Sequence, residues 1–74
     1  MSKSTIYIYL LDEGTDVWRP TEGEEVAELT FRVLPTPNYN PEDEHWAYPP
    51  GILVRCAYKT LSEGKLVLVA VEKA

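Results

Sequence analysis

The chain has one thiol, Cys56, and one imidazole, His45. Thiol catalysis needs both within hydrogen-bond reach, with a third group to orient the base. Cys56 alternates with Val54 and Tyr58 in a β-type pattern, which predicts a buried, small apolar residue. His45 stands apart, in a proline-rich stretch. The carboxylates of Glu42-Asp43-Glu44 and Glu24-Glu25 form charge runs in expected loops, where solvation explains them. A glycosidase-type pair needs a cleft that fixes the carboxyl separation, and a chain of 74 residues has little room for one unless subunits build it together. For a metal, Glu42, Asp43, Glu44 and His45 are the one cluster. Zinc would ask for a second imidazole or paired thiols, and Asp12 to Asp16 lacks the alternating ligands of a calcium loop. No glycine-rich phosphate loop occurs. The expectation is a protein without cofactor or metal, for which enzyme activity is the less favoured reading.

Aromatic residues carry more information. Trp18, Trp46, Tyr7, Tyr9, Tyr39, Tyr48 and Tyr58 are many for this length, and several adjoin prolines or acids. Trp and Tyr combine apolar area with a polar tip and are enriched at interfaces. A groove of aromatics flanked by acids suits proline-rich, basic peptides. Trp18, Arg19, Trp46, Tyr48 and Arg55 are therefore the candidate binding residues, with Arg55 a possible guanidinium stacked on Trp18 or Trp46. The competing structural role for both tryptophans is to staple a long connection onto the core.

Five segments that could position these residues read as strands. Over Thr5 to Leu11, Ile6, Ile8 and Leu10 share one face, with Tyr7, Tyr9 and Leu11 on the other. Asp12 to Asp16 reads as a turn. A short strand follows from Asp16 to Thr21, halted or held at an edge by Pro20. Thr21 to Glu24 reads as another turn. From Val26 the chain alternates, with Leu29, Phe31 and Val33 on one face. Pro35 to Gly51 holds five of the six prolines. Within it, Asn40 as cap, Pro41 as first helical residue and the acids after it predict a short helical turn over Pro41 to Ala47. Ile52 to Thr60 forms strand four, and Leu61 to Gly64 a hairpin loop with Gly64 left-handed. Leu66 to Val71 is apolar on both faces and must be covered twice. These features predict one all-β domain over residues 1–74: a small five-stranded antiparallel barrel, SH3-like rather than OB-like, with one helical turn in the long connection.

A domain this short buries only about 60% of its unfolded surface. One cysteine cannot form an internal disulfide, so a closed core, a partner subunit or both must supply stability. The net charge of −5 opposes non-specific nucleic-acid binding and anionic membranes. The first residues lead into a strand pattern with no apolar leader, and the longest apolar run is too short to span a bilayer. A cytoplasmic location is expected.

Leu10-Leu-Asp-Glu-Gly-Thr-Asp-Val-Trp-Arg-Pro20, Pro50-Gly-Ile-Leu-Val-Arg-Cys56 and Leu68-Val-Ala-Val-Glu72 together resemble a family of small uncharacterised bacterial proteins. Similar proteins occur as mobile, integron-type gene-cassette products. The resemblance implies no catalytic residues; it draws attention to Trp18, Arg19, Pro20, Trp46, Arg55 and Cys56. Three functions follow as expectations. The first is a self-associating protein-interaction module. The second is an acidic, antitoxin- or immunity-type inhibitor of a basic protein. The third is a small enzyme whose site forms between subunits.

Overall fold

Alternating apolar residues set the strands, and the strands close into an uneven ring. A computed structural model describes residues 2–61 and 64–74. Its strands are β1 (Lys3–Leu11), β2 (Trp18–Ala27), β3 (Thr30–Val33), β4 (His45–Trp46), β5 (Leu53–Thr60) and β6 (Leu66–Lys73). β1, β2, β3, β5 and β6 pair in that order, each antiparallel to the one before. β6 then returns to β1 in parallel, through Ile6 opposite Leu68 and Tyr7 opposite Val69. β4 adds two residues to the far end of β1, opposite Leu10 and Leu11. The described residues contain no helix, hence none long and apolar enough to cross a membrane.

Most residues of the alternating apolar faces form the core, with Tyr58 and Leu29 outside it. Ile6, Ile8, Leu10, Phe31, Val33, Val54, Cys56 and Ala70 are buried together with Trp46. Ile6, Ile8, Val33 and Val54 are fully enclosed, each contributing about 1.5–3 kcal/mol of burial. At the centre of β6, Val69 and Ala70 are both buried although they point to opposite faces. The strand is thus covered twice at its middle but not along its length. Leu66 is 64% exposed and Val71 is 49% exposed. Val71 is the odd residue of a bulge, left without a partner between Ala70 opposite Cys56 and Glu72 opposite Arg55.

Several expectations need correction, the first being an all-antiparallel barrel, since β6 meets β1 in parallel. The second strand does not stop at Pro20, and Thr21 to Glu24 is no turn: β2 runs ten residues through both. β3 reaches only as far as Gly23 along β2, so at Pro20 that edge has no strand beside it and a missing N–H costs nothing there. Gly23 is a packing residue, since a Cβ on it would lie 2.7 Å from Ile6 Cδ1 and 3.1 Å from Phe31 Cβ. The reversal comes later, at Glu28–Leu29, where Leu29 takes φ 53° and so leaves the inward row. Finally, Pro41 to Ala47 is not helical. Asn40 Oδ1 accepts the Glu42 N–H at 2.9 Å, and Asn40 O accepts the Asp43 and Glu44 N–H groups. The capped turn ends there, because His45–Trp46 extend to pair with β1. Gly64 is left-handed at φ 75°, while Ser62 and Glu63 of that hairpin loop lie outside the described residues.

Gly23→Ala is expected to lower unfolding stability by about 1–3 kcal/mol, the usual range for overpacking. Urea denaturation measures it; a change within error would show that the β1–β2–β3 wall yields without strain.

Candidate functional site

Because Ile6 and Ile8 point into the core, Tyr7 and Tyr9 must point outward. Across β2, Trp18 stands opposite Tyr9, and the two rings meet edge to face with centroids 5.3 Å apart. The Tyr9 hydroxyl donates to Asp16 Oδ1 at 3.2 Å, and that hydrogen bond with the nearby carboxylate charge raises the phenol pKa. On β5, Cys56 faces in, so Ala57 and Lys59 face out. Their β6 partners are Val69 and Val67. The Lys59 ammonium lies 5.1 Å from the centre of a Trp18 ring, a cation–π arrangement. Between the β1–β2 connection and the β5–β6 hairpin lies a cleft of about 550 Å³, lined by Tyr7, Asp16, Val17, Trp18, Lys59, Thr60, Leu61, Lys65 and Val67. Tyr7 of β1 and Val67 of β6 line it from the two strands that the parallel closure brings together.

The long connection does a different job. Trp46 is buried and meets Tyr39 edge to face at 4.7 Å. Its indole N–H donates to Glu44 Oε1 at 3.0 Å, while Arg19 donates to Glu44 Oε2. The indole hydrogen bond first, and then the guanidinium, hold the Glu44 carboxyl below its ordinary pKa of 4.5, against the opposing effect of desolvation. This cluster seals the barrel end where β1 finishes. A shallower cleft of about 370 Å³ beside it is lined by Arg19, Pro20, Thr36, Pro37, Asn38, Asn40, Asp43 and Glu44.

The five candidate binding residues therefore fall in three places. Trp18 lines the outer cleft. Arg19 and Trp46 meet through Glu44, and Tyr48 packs on the core with its hydroxyl donating to Val71 O at 3.1 Å. Arg55 lies exposed and pairs with Glu72. The cation over Trp18 is thus Lys59, not Arg55. Of the two tryptophans, only Trp46 staples the connection. Tyr7, Lys59, Lys65 and Val67 were missed. Strand alternation already set Lys59 on an outward face, but only ring closure shows that this face adjoins Trp18.

Cys56 is buried, whereas His45 is exposed and hydrogen-bonded to Asp12, so the two do not form a thiol–imidazole pair. Cys56 sits in the core, where burial pushes its thiol up to about 11. His45 Nδ1 lies 2.9 Å from Asp12 Oδ2 with both side chains exposed, and His45 lines neither cleft. Among the described residues, no three His, Cys, Asp or Glu side chains are grouped to hold a metal. Compared with protein-family models, with curated proteins and with solved structures, the chain matches none.

Two outcomes follow. A thiol-specific disulfide reagent at pH 8 should label Cys56 slowly in the native protein and rapidly in denaturant; equal rates would place the thiol at the surface. For Glu44, the folded pKa is lowered, so its stabilising contribution is complete above about 4.5 and is lost as pH falls through the folded value. Glu44→Gln should therefore be less stable than the native chain at pH 7, with the gap narrowing below pH 4.5. A gap independent of pH would mean that the carboxylate charge is not what Trp46 and Arg19 hold.

Proposed function

We propose that this chain is a non-catalytic interaction module, a small barrel of SH3-like type, that binds a protein or peptide partner in the cleft beside Trp18. One observation carries this reading: a half-buried indole, with a tyrosine and a cation beside it, lines an open cleft in the size range of ligand sites. The simple consecutive strand order supports the SH3-like assignment over the OB-like one, whose connections follow a Greek key. The placement of Cys56 and His45 supports a non-catalytic role. The inhibitor alternative rests on the net charge of −5 and on the acids Asp12, Glu13, Asp16, Glu22, Glu24, Glu25 and Glu28, of which Glu24 faces Arg32. Cytoplasmic location, and descent from the family of cassette-type bacterial proteins that the sequence resembles, belong to the same proposal.

Self-association is a second reading, and it has its own surface. Tyr58 and Leu66 are diagonal neighbours on the β5–β6 hairpin. They continue the core-facing side of the two strands beyond the enclosed part of the ring, and they are 62% and 64% exposed. A second copy would cover them. Light scattering after size exclusion should show a dimer that Tyr58→Ser with Leu66→Ser converts to monomer; a monomer at high micromolar concentration removes this reading.

For the cleft itself, Trp18→Ala should cost about 1–2 kcal/mol at most, because the indole lies outside the core. Trp46→Ala should cost about 3–5 kcal/mol. Affinity capture from a host lysate, comparing the native chain with the folded Trp18→Ala variant, tests the site. Capture that survives Trp18→Ala unchanged sinks the proposal.

A further inference from the structure

We infer that the cleft beside Trp18 is selective for anions, taking a carboxylate-bearing ligand with an adjoining apolar group, such as an acidic peptide segment. This inference rests on the reading of that cleft as the binding site, and it sets the sign of the partner opposite to what the net charge of −5 suggests.

The chain has seven basic side chains. All three arginines lie against carboxylates: Arg19 with Glu44, Arg32 with Glu24, Arg55 with Glu72. Two of the four lysines, Lys59 and Lys65, line the one cleft. Neither has a carboxylate within 4.0 Å among the described residues. The Lys59 ammonium rests on an aromatic face instead, and that contact uses none of its three N–H donors on an acceptor. Asp16 is the cleft's single acid among the described residues, and it accepts the Tyr9 hydroxyl at the rim. Among the described residues, the lining of this open cleft therefore holds two ammonium side chains to one carboxylate, against the overall acidity of the chain.

The rest of the lining selects what the carboxylate is attached to. Tyr7, Trp18 and Val67 offer apolar area in the same lining as the two lysines, with the Lys59 ammonium directly over Trp18. A bare inorganic anion would leave that area uncovered. A carboxylate one or two bonds from an aliphatic or aromatic group would meet both parts at once, with charge-assisted hydrogen bonds to the lysines and apolar burial against the rings. Such a group can come from an acidic peptide or from a free small acid, and the two share the recognition chemistry. The same arrangement disfavours basic proline-rich peptides, which would bring cations against Lys59 and Lys65.

Two-dimensional NMR of the intact, ¹⁵N-labelled chain tests this directly, because its two indole N–H signals report separate places. Trp46 donates to Glu44 at the sealed end, and Trp18 lines the cleft. The probes are an acetylated, amidated tetrapeptide of alternating glutamate and leucine, the same peptide with lysine for glutamate, and 3-phenylpropionate. The glutamate peptide should shift the Trp18 indole and the Val67 and Lys65 amides, leave the Trp46 indole in place, and weaken as salt rises. Lys59→Gln with Lys65→Gln, its other signals unchanged, should bind it about tenfold or more weakly, as expected for losing charge-assisted bonds. Shifts from phenylpropionate of equal strength support the same site and assign it to a small acid. Trp18 shifts from the lysine peptide alone would keep the binding cleft but overturn its anion selectivity. Binding unaffected by the lysine substitutions, or no Trp18 shift from either acidic probe at millimolar concentration, would also overturn it.

Discussion

Five strands that reverse direction at every step cannot close into a ring with antiparallel pairs alone: the first and the last run the same way. Here that parity is met at a short parallel seam between β1 and β6, with two register pairs, Ile6 with Leu68 and Tyr7 with Val69. Parallel strands cannot be joined by a tight hairpin, and this chain needs no such link because the whole meander separates them. One side of the seam completes the core around Ile6 and Ile8. The other brings Tyr7 onto the same outer surface as Val69, Val67 and Lys59, strands that are remote in sequence. Core closure and cleft formation are thus two faces of one joint.

The two ends of the barrel are treated differently. At one, the proline-rich connection covers the core with Trp46 and Tyr39, and Glu44 accepts from the indole and from one terminal nitrogen of Arg19, whose Nε stays buried without a partner. Prolines fit that role, because a connection that packs mostly outside the ladder, His45–Trp46 apart, loses little by lacking N–H donors and has less chain entropy to give up. At the other end, Tyr58 and Leu66 extend core-facing strand surface into water. For a domain with so little interior, leaving apolar area uncovered there while spending seventeen residues, 35 to 51, on the opposite end is an asymmetry that the self-association reading accounts for.

Period-two alternation made the inner faces legible. Ile6, Ile8, Leu10, Phe31, Val33, Val54 and Cys56 lie on faces that alternation grouped together and are buried, whereas Tyr58, grouped with Val54 and Cys56, is exposed. Local turn chemistry misled where tertiary contacts outweighed it. Gly23 looks like a turn glycine because the same residue type serves both for reversal and for close approach, and only the position of Ile6 tells the two apart. Leu29 carries no turn signal at all, yet it adopts the positive φ at which β2 meets β3. Asn40 and Pro41 do begin a turn as their types suggest; what stops it is pairing of His45–Trp46 with β1, a contact more than thirty residues distant in sequence. The candidate site was half legible for the same reason. Trp18 stood out by type, whereas Lys59 and Lys65 look like ordinary solvated lysines until the seam sets β6 beside β1.

That placement bears on how net charge should be used for a domain of this size. A total of −5 describes the field seen from a distance, where it governs encounter and solubility. Within a cleft, the nearest few charges dominate, because screening in physiological salt confines each to about 8 Å. Arg19, Arg32 and Arg55 meet carboxylates along the walls and the sealed end, and among the described residues of the cleft Lys59 and Lys65 outnumber the one acid, Asp16. On the proposal that the cleft takes anions, the acidic surface around it would act as a filter: it would slow generic polyanions and admit a ligand narrow enough to put one or two carboxylates inside. Selectivity of that kind needs no large interface, which is the one resource a 74-residue barrel lacks.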